Sequence, residues 1–468
     1  MEEDSDPALG EATQSESIKV VVRSRPLTGT EQGRGDQVAV NCAEDGCSIE
    51  VMADTVAGST QRQRGVSKQG VMYRLDRIVA PDAGQGLFFD QSGIKPLLLS
   101  ALEGYAATCF AYGQTGSGKT YSLIGSEAIV DKLDQKSSES DGLLSRSVKF
   151  LFSEIKRRLG TAYEVEVSYA EIYQEKVRDL LSTSDAACKV RWNPHQGYFV
   201  EGLTRVACAS KADVMRAFCQ GYRRTRVASH DMNARSNRSH CMFTVLLHAS
   251  PNSSPAADAG AAPGAVPGAV PGRGGDKERL VSTAHVRHGR LCFIDLAGSE
   301  RQKDTGASGA VLAESGQINK SLFTLGKVIA ALSKKSKRAT SEVVPYRDST
   351  LTKLLSSSLG GSCKTLMIAC CSSSNTHVSE TLRSLEFASR TKNVRNKPVL
   401  VLDPKEALIQ ELRGEIAKLR KANKDLHSNL EGIRESTVGE KLLRGASPAL
   451  ELEAPHGRHA GEEGGDGE

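Results

Sequence analysis

The chain has 468 residues, 39% of them apolar and 25% charged, ordinary usage for a protein with a packed core, which excludes wholesale disorder. No apolar run approaches the roughly 18 residues a membrane span needs, so direct membrane insertion is not expected, and eleven cysteines without one Cys-x-x-Cys pair read as reduced thiols. The net charge of +5 hides an asymmetry: residues 1–17 carry −6 and residues 441–468 carry −3, which leaves +14 on residues 18–440, a body suited to a polyanionic partner.

Residues 1–17 open on Glu2, Glu3 and Asp4 instead of a basic and then apolar leader; they are expected to be disordered, and the expected compartment is the cytoplasm. Ile18-Lys-Val-Val-Val-Arg-Ser-Arg-Pro26 then reads as a β-branched strand stopped by its proline. Thr108-Cys-Phe-Ala-Tyr112 is a second buried strand and runs straight into Gly113-Gln-Thr-Gly-Ser-Gly-Lys-Thr120, which fits G-x-x-x-x-G-K-[ST] between a strand and a helix. Gly113, Gly116 and Gly118 let the loop's backbone N–H groups, those of Gln114, Thr115 and Ser117 among them, close around a β-phosphate. Lys119 reaches the β- and γ-oxygens, the Thr120 hydroxyl can ligate Mg²⁺, and Tyr121 is counted with the nucleotide-binding residues.

Further on, Asn233-Ala-Arg-Ser-Asn-Arg-Ser-His240 is a polar loop that leads into a strand at Cys241; alone, such a cluster is more often a solvated turn. Residues 249–278 are an Ala/Gly/Pro tract that cannot pack a core and reads as an insertion lengthening one strand-to-strand connection. After it, the buried strand Leu291–Ile294 delivers Asp295-Leu-Ala-Gly-Ser-Glu300, placing an acid where a P-loop enzyme holds Mg²⁺ and a glycine N–H, Gly298, where it can meet a γ-phosphate. A guanine site would carry Asn-Lys-x-Asp; the Asn-Lys pairs at 319, 396 and 423 lack the acid, so adenine, and hence ATP, is favoured. Alternating strands and helices run to about Thr391, a polar stretch follows, and a heptad helix spans Lys405 to about Arg434.

These three segments in this order resemble the kinesin superfamily, and the resemblance extends from about Ile18 to Lys405. It takes in Arg23-Ser-Arg-Pro26, Val167–Leu181, Val200-Glu-Gly-Leu203, Ile318-Asn-Lys-Ser-Leu322, Val344–Ser349, Leu351–Leu355, Ser358–Gly361 and Glu386–Arg390. It implies a P-loop NTPase of kinesin type, α/β, with a central, mostly parallel twisted sheet between two layers of helices, followed by a coiled-coil helix. It also implies that Arg25 and Pro26 flank the adenine, that Ser236 and Asn237 sense the γ-phosphate and order water, and that Ser236 joins Thr120 and Asp295 around Mg²⁺. Arg238 is implied to pair with Glu300 when the site closes. The activity implied is microtubule-stimulated ATP hydrolysis by positioning and electrostatics, without a covalent intermediate.

Three residues depart from the family pattern: Asn237 stands where a second serine is usual, Ser145 where a proline is, and Thr350 where a lysine is frequent. The first is expected to slow hydrolysis, the second to touch only helix entry, and the third to weaken the hold on the track. For that track, a microtubule, the resemblance points to Lys320, to the run Lys334, Lys335, Lys337 and Arg338, and to Arg347 and Lys353. No nucleic-acid recognition motif accompanies the charge, so no nucleic acid is expected.

The organisation expected is an acidic N-terminus 1–17, a motor domain 18–391, a neck linker 392–405, a neck coiled coil 406–435 and an acidic disordered tail 436–468. A neck that follows the core implies plus-end-directed movement by analogy. Ile409, Leu412, Ile416, Leu419, Asn423, Leu426, Leu430 and Ile433 fall at a and d positions, as in a parallel two-stranded coiled coil and hence a homodimer, while one helix folding back on its own core fits the same spacing. A non-motile cross-linker with weak ATPase and a filament-end depolymerase are the other functional readings; the acidic segment before the core speaks against the second.

Overall fold

The computed structural model describes residues 15–52, 70–126, 138–194, 197–230, 238–251, 286–300, 310–335, 343–400 and 404–435. The acidic start to residue 14, most of the Ala/Gly/Pro tract and the tail from residue 436 lie outside them. The chain divides into two units, Met1–Asp403 and Pro404–Glu468.

The first unit is built on a ten-stranded sheet. In chain order its strands are β1 (Lys19–Arg25), β2 (Arg77–Val79), β3 (Ala106–Tyr112), β4 (Thr161–Tyr173), β5 (Lys176–Asp179), β6 (Ala187–Cys188), β7 (Val206–Ala207), β8 (His240–Pro251), β9 (Arg287–Asp295) and β10 (Lys364–Ser372). They lie in the order β6-β5-β4-β8-β9-β3-β10-β1-β2, with β7 added to β4. Parallel pairing is confined to one half, β9-β3-β10-β1-β2, and the half from β6 to β8 is antiparallel. The expected mostly parallel sheet is therefore a mixed one. Part of the reason is local: β4–β5 and β8–β9 each follow one another as hairpins, which can only pair antiparallel.

The insertion lengthens a hairpin, as its flanking strands suggested. β8 and β9 pair in register from Cys241 opposite Asp295 to Ala249 opposite Arg287, and β8 runs to Pro251, two residues past the expected start of the tract.

Alternation along the strands makes two cores. Ala107, Cys109 and Ala111 of β3 face one, with Leu291 and Phe293 of β9 and Leu366, Ile368 and Cys370 of β10. Phe110, Cys292, Ile294, Met367, Ala369 and Cys371 face the other. Helices α2 (Gln85–Gln91), α3 (Ile94–Leu102), α5 (Leu143–Arg157) and α6 (Lys211–His230) supply the first layer. Helices α7 (Ala310–Lys335), α8 (Thr350–Leu354) and α9 (Val378–Lys392) supply the second. Strands apolar on both faces are what a sheet covered on both sides demands. The short helices α1 (Gly29–Gly33) and α4 (Lys119–Leu123) flank the site described below.

After α9 the chain stays on this core. Glu16–Ser17 pair antiparallel with Arg395–Asn396, so the last residues of the segment expected to be disordered form a strand. Asn396 is 2% exposed and acts as a latch: its Nδ2 donates to Ser358 O (2.9 Å), Cys363 O (2.7 Å) and Thr365 Oγ1 (3.1 Å), and its Oδ1 accepts from Gly360 N (2.8 Å). Lys397 N and Val399 N donate to Gly361 O and Ser362 O, and Tyr105 bridges to Leu400. The second unit holds α10 (Pro404–Glu435), on which Leu412, Ile416, Leu419, Leu426 and Leu430 are each about half exposed or more.

Asn396→Ala removes one hydrogen bond from each of three buried acceptors and one donor, and should cost about 2–4 kcal/mol in urea unfolding. A loss below about 0.5 kcal/mol would show that water replaces the amide at no cost.

Candidate active site

β3 and β9 are parallel neighbours with Asp295 opposite Ala111, so the loop after β3 and the segment after β9 leave the sheet side by side. At Gly113 (φ 150°) a Cβ would stand 2.2 Å from the Cys370 carbonyl oxygen of β10, so the strand end accepts only glycine. Gly116 and Gly118 are left-handed (φ 74° and 96°) with open space around them. Lys119 is 8% exposed and its Nζ donates to Gly113 O and Gln114 O, both at 2.9 Å. Burial lowers its pKa, against the pull of Asp295 and Glu300. Phosphate oxygens are stronger acceptors for that ammonium than two carbonyls. The Ser117 hydroxyl donates to Gln114 O (2.7 Å), tightening the loop, while Gln114 Oε1 is buried without a hydrogen bond among the described residues.

Thr120 Oγ1 donates to Asp295 Oδ2 at 2.6 Å. The other carboxylate oxygen, Oδ1, is buried and has no hydrogen-bond partner among the described residues. Burial raises the pKa of Asp295, offset by Lys119 and by the Thr120 hydroxyl. A hydroxyl and a carboxylate with a spare buried oxygen form the hard-oxygen donor set that suits Mg²⁺. At Gly298 a Cβ would meet Thr115 Oγ1 at 2.3 Å and Glu300 Oε2 at 2.4 Å. Glu300 accepts from Thr115 N (2.8 Å) and Thr115 Oγ1 (2.5 Å), and Ser299 N donates to Gly113 O (3.1 Å). The Asp295–Glu300 segment is thus laced to the phosphate loop at three points. Arg238 lies half-buried just before β8, whereas Ser236 and Asn237 fall outside the described residues.

On the other flank, Arg25 closes over the loop: its Nε donates to Gly116 O (2.6 Å), its Nη1 to Pro26 O (2.9 Å), and both Nη atoms to Glu31 (2.7 Å each). Glu31 also accepts from Thr28 N, completing the capping box of α1. The Arg25 hydrogen bond, against the opposing effect of burial, lowers Glu31 to about 2. Arg23 is a support behind the loop, bonded to Gln85 and Ser122, with its guanidinium 4.3 Å from the Phe88 ring and 5.1 Å from that of Tyr121, which is 47% exposed.

Of the expected track residues, Lys320 and Lys334 are exposed on α7, Arg347 is exposed on the 3₁₀ turn Tyr346–Asp348, and Lys353 is partly exposed on α8. These elements pack together. The Lys335 side chain, Lys337 and Arg338 lie outside the described residues. Thr350, expected to weaken the hold on the track, has its side chain engaged within the fold. It is 8% exposed, with its N and Oγ1 donating to Glu175 Oε2 (2.5 Å) and Glu175 O (2.8 Å), while Ser349 Oγ donates to Glu175 Oε1 (2.9 Å). Its cap joins α8 to the turn after β4, where Gln174 and Glu175 both have positive φ. Ser145 likewise does more than admit a helix, donating to Asp141 Oδ2 (3.0 Å) while buried.

Two features escaped the motif reading. Phe323 stands 65% exposed on α7 with Lys327 Nζ 4.7 Å from its ring; an aromatic in a helical pattern reads as core, and only the fold shows that it points outward. His240 closes the polar loop as a fully buried ring: its Nδ1 accepts from Ala297 N (2.9 Å), its Nε2 is 2.8 Å from Ser321 Oγ, and burial, with the charge of Lys119, lowers it to about 3.

The Arg25–Glu31 pair carries a pH signature. With the folded pKa near 2 and the ordinary value at 4.5, its stabilisation is complete above about 4.5 and lost as pH falls toward 2. Glu31→Gln should cost about 1–3 kcal/mol at neutral pH, with the gap from wild type narrowing in urea unfolding at pH 3. An equal gap at both pH values would show that the pair is not what links this region to acid.

A family model described as the kinesin motor domain matches residues 23–394. The chain is 35% identical over 403 residues to the chromosome-associated kinesin KIF4 of Gallus gallus, covering 86% of this chain and 29% of that one. It is 33% identical over 452 residues to the chromosome-associated kinesin KIF4A of Homo sapiens, covering 92% and 32%. The chain therefore spans about a third of the length of these curated relatives. The solved structure of a fast kinesin, reported with its ATPase mechanism and interactions with microtubules, superposes with a TM-score of 0.67 at 33% identity over 83% of this chain and 94% of that one. A matched family model over most of the chain, a superposable solved motor and a phosphate loop bonded to the Asp295–Glu300 segment lead to one conclusion: this chain belongs to the kinesin motor-domain family.

Proposed function

We propose that the chain binds a microtubule, hydrolyses ATP faster when bound to it, and moves along it toward the plus end. The observation that carries this reading is the Thr120–Asp295 hydrogen bond, which joins the phosphate loop to the segment that must report on the γ-phosphate. Lys119 neutralises charge on the transferring phosphoryl group, and Gly298 brings a backbone N–H beside it. Arg25 and Pro26, braced by Glu31, border the base. Ser236, Asn237, Arg238 and Glu300 arrange the attacking water; when Glu300 exchanges Thr115 for Arg238, the site closes. Thr120 and Asp295, with Ser236, would hold Mg²⁺, which would supply charge neutralisation for the phosphates. No side chain forms a covalent intermediate in this scheme; the chain acts by holding groups in place.

The output is the segment 395–400, latched by Asn396 and paired with Glu16–Ser17. Docking and release of a strand held by a few hydrogen bonds is a switch worth a few kcal/mol, a scale that nucleotide-dependent contacts can tip. Lys320, Lys334, Arg347 and Lys353, with Phe323 among them, offer acidic tubulin a basic face with one aromatic anchor. The cellular setting that follows is the microtubule cytoskeleton. The exposed heptad stripe of α10 is the seam of a weak parallel homodimer, with Asn423 choosing two strands.

ATP turnover should rise at least about tenfold on saturating microtubules, because a track that orders the site speeds product release, and Lys119→Ala should abolish it. Turnover indifferent to microtubules would end the motor reading. Each apolar seam residue contributes roughly 1.5–3 kcal/mol before the cost of association, so a dissociation constant of about micromolar order is expected in sedimentation, and Leu419→Asp should give monomers that still hydrolyse ATP. A wild-type monomer at tens of micromolar would replace the dimer with a single-headed motor.

A further inference from the structure

His240 belongs to no phosphate, metal or track contact, yet it is 2% exposed and both ring nitrogens are engaged across three separate parts of the chain. It opens β8, immediately after the polar loop that ends at Ser239. On one side the Ala297 N–H donates to Nδ1, so Nδ1 carries no proton and a neutral ring must carry it on Nε2. The Nε2–H then donates to Ser321 Oγ on α7. Ala297 is bonded to Gly298, whose N–H is the proposed γ-phosphate contact; Ser321 is 3% exposed and directly follows Lys320, on the helix that also presents Phe323 outward. One rigid ring thus spans from the peptide beside the γ-phosphate position to the inner face of a helix whose outer face is basic and exposed. A displacement of α7 of about 1 Å along the line of this bond would stretch the 2.8 Å contact beyond hydrogen-bonding range.

We infer that His240 is a positioning residue that transmits the placement of α7 to the Ala297–Gly298 peptide, and so couples track binding to hydrolysis. This rests on the reading that α7 faces the microtubule. A core histidine with a purely structural role would stabilise the fold and affect basal and stimulated turnover alike. A coupling histidine affects the ratio between them.

The test measures ATP turnover with and without polymerised tubulin, the KM for ATP, and thermal unfolding. Ser321→Ala removes the helix end of the link. It should lower the stimulation ratio about three- to tenfold, the range one hydrogen bond spans, while basal turnover and KM stay within about twofold. Ser321→Thr keeps a hydroxyl and should restore the ratio. His240→Asn retains an oxygen that can accept from Ala297 N but no donor that reaches Ser321; it should lose stimulation similarly, and the double variant should be no worse than Ser321→Ala alone. Undiminished stimulation in Ser321→Ala overturns the inference, as does an equal loss of basal and stimulated turnover with a lowered melting temperature. If the wild type itself is not stimulated by tubulin polymer, the motor reading fails and this inference with it, an outcome distinct from the other two.

Discussion

The arrangement depends on one constraint: a buried lysine and a partly buried aspartate must share the end of two adjacent parallel strands. Lys119 and Asp295 are each penalised by burial, and each shifts the other back toward its charged form. Neither is tolerable there alone. Thr120, Gly113 O and Gln114 O complete the set of partners, and the rest of the site follows from keeping that set together. The sheet supplies the rigidity, since β3 and β9 are bonded in register up to Asp295 and clamped between two apolar layers.

Around that centre, the surrounding segments are tied to the site by a few polar bonds each. Glu300 and Ser299 reach the phosphate loop through Thr115 and Gly113, Arg25 through Gly116, and His240 reaches Ala297 and Ser321. Contacts of this kind are worth about a kilocalorie per mole apiece, so they can be exchanged one at a time without unfolding the core. That gives the proposed nucleotide site a physical means of communication, since bonds of this strength can trade partners while a sheet stays folded.

The second helical layer shows how a surface is prepared. The cap of α8 by Glu175 ties the turn after β4 to the helix that carries Lys353, and Thr350 is spent on that cap. A threonine there ties a joint within the motor from a buried position. The basic side chains remain on the exposed sides of α7, the 3₁₀ turn and α8, which pack against one another and present them together.

Most of the candidate site's local geometry was legible in the sequence, because a phosphate loop is a contiguous run whose glycines, lysine and threonine lie within a few residues of one another. Asp295, Gly298 and the strand before them were readable for the same reason, as was the hairpin around the Ala/Gly/Pro tract, whose flanks alternate like strands. What the sequence could not contain were contacts between distant segments. His240 meets Ala297 and Ser321 across 57 and 81 residues, Glu300 meets Thr115 across 185, and Thr350 meets Glu175 across 175. The mixed character of the sheet belongs to the same class, since an apolar strand reads alike whether its neighbour runs parallel or antiparallel. Local runs specify which groups are available; only packing, which sets the distance between residues far apart in the chain, decided which of them meet.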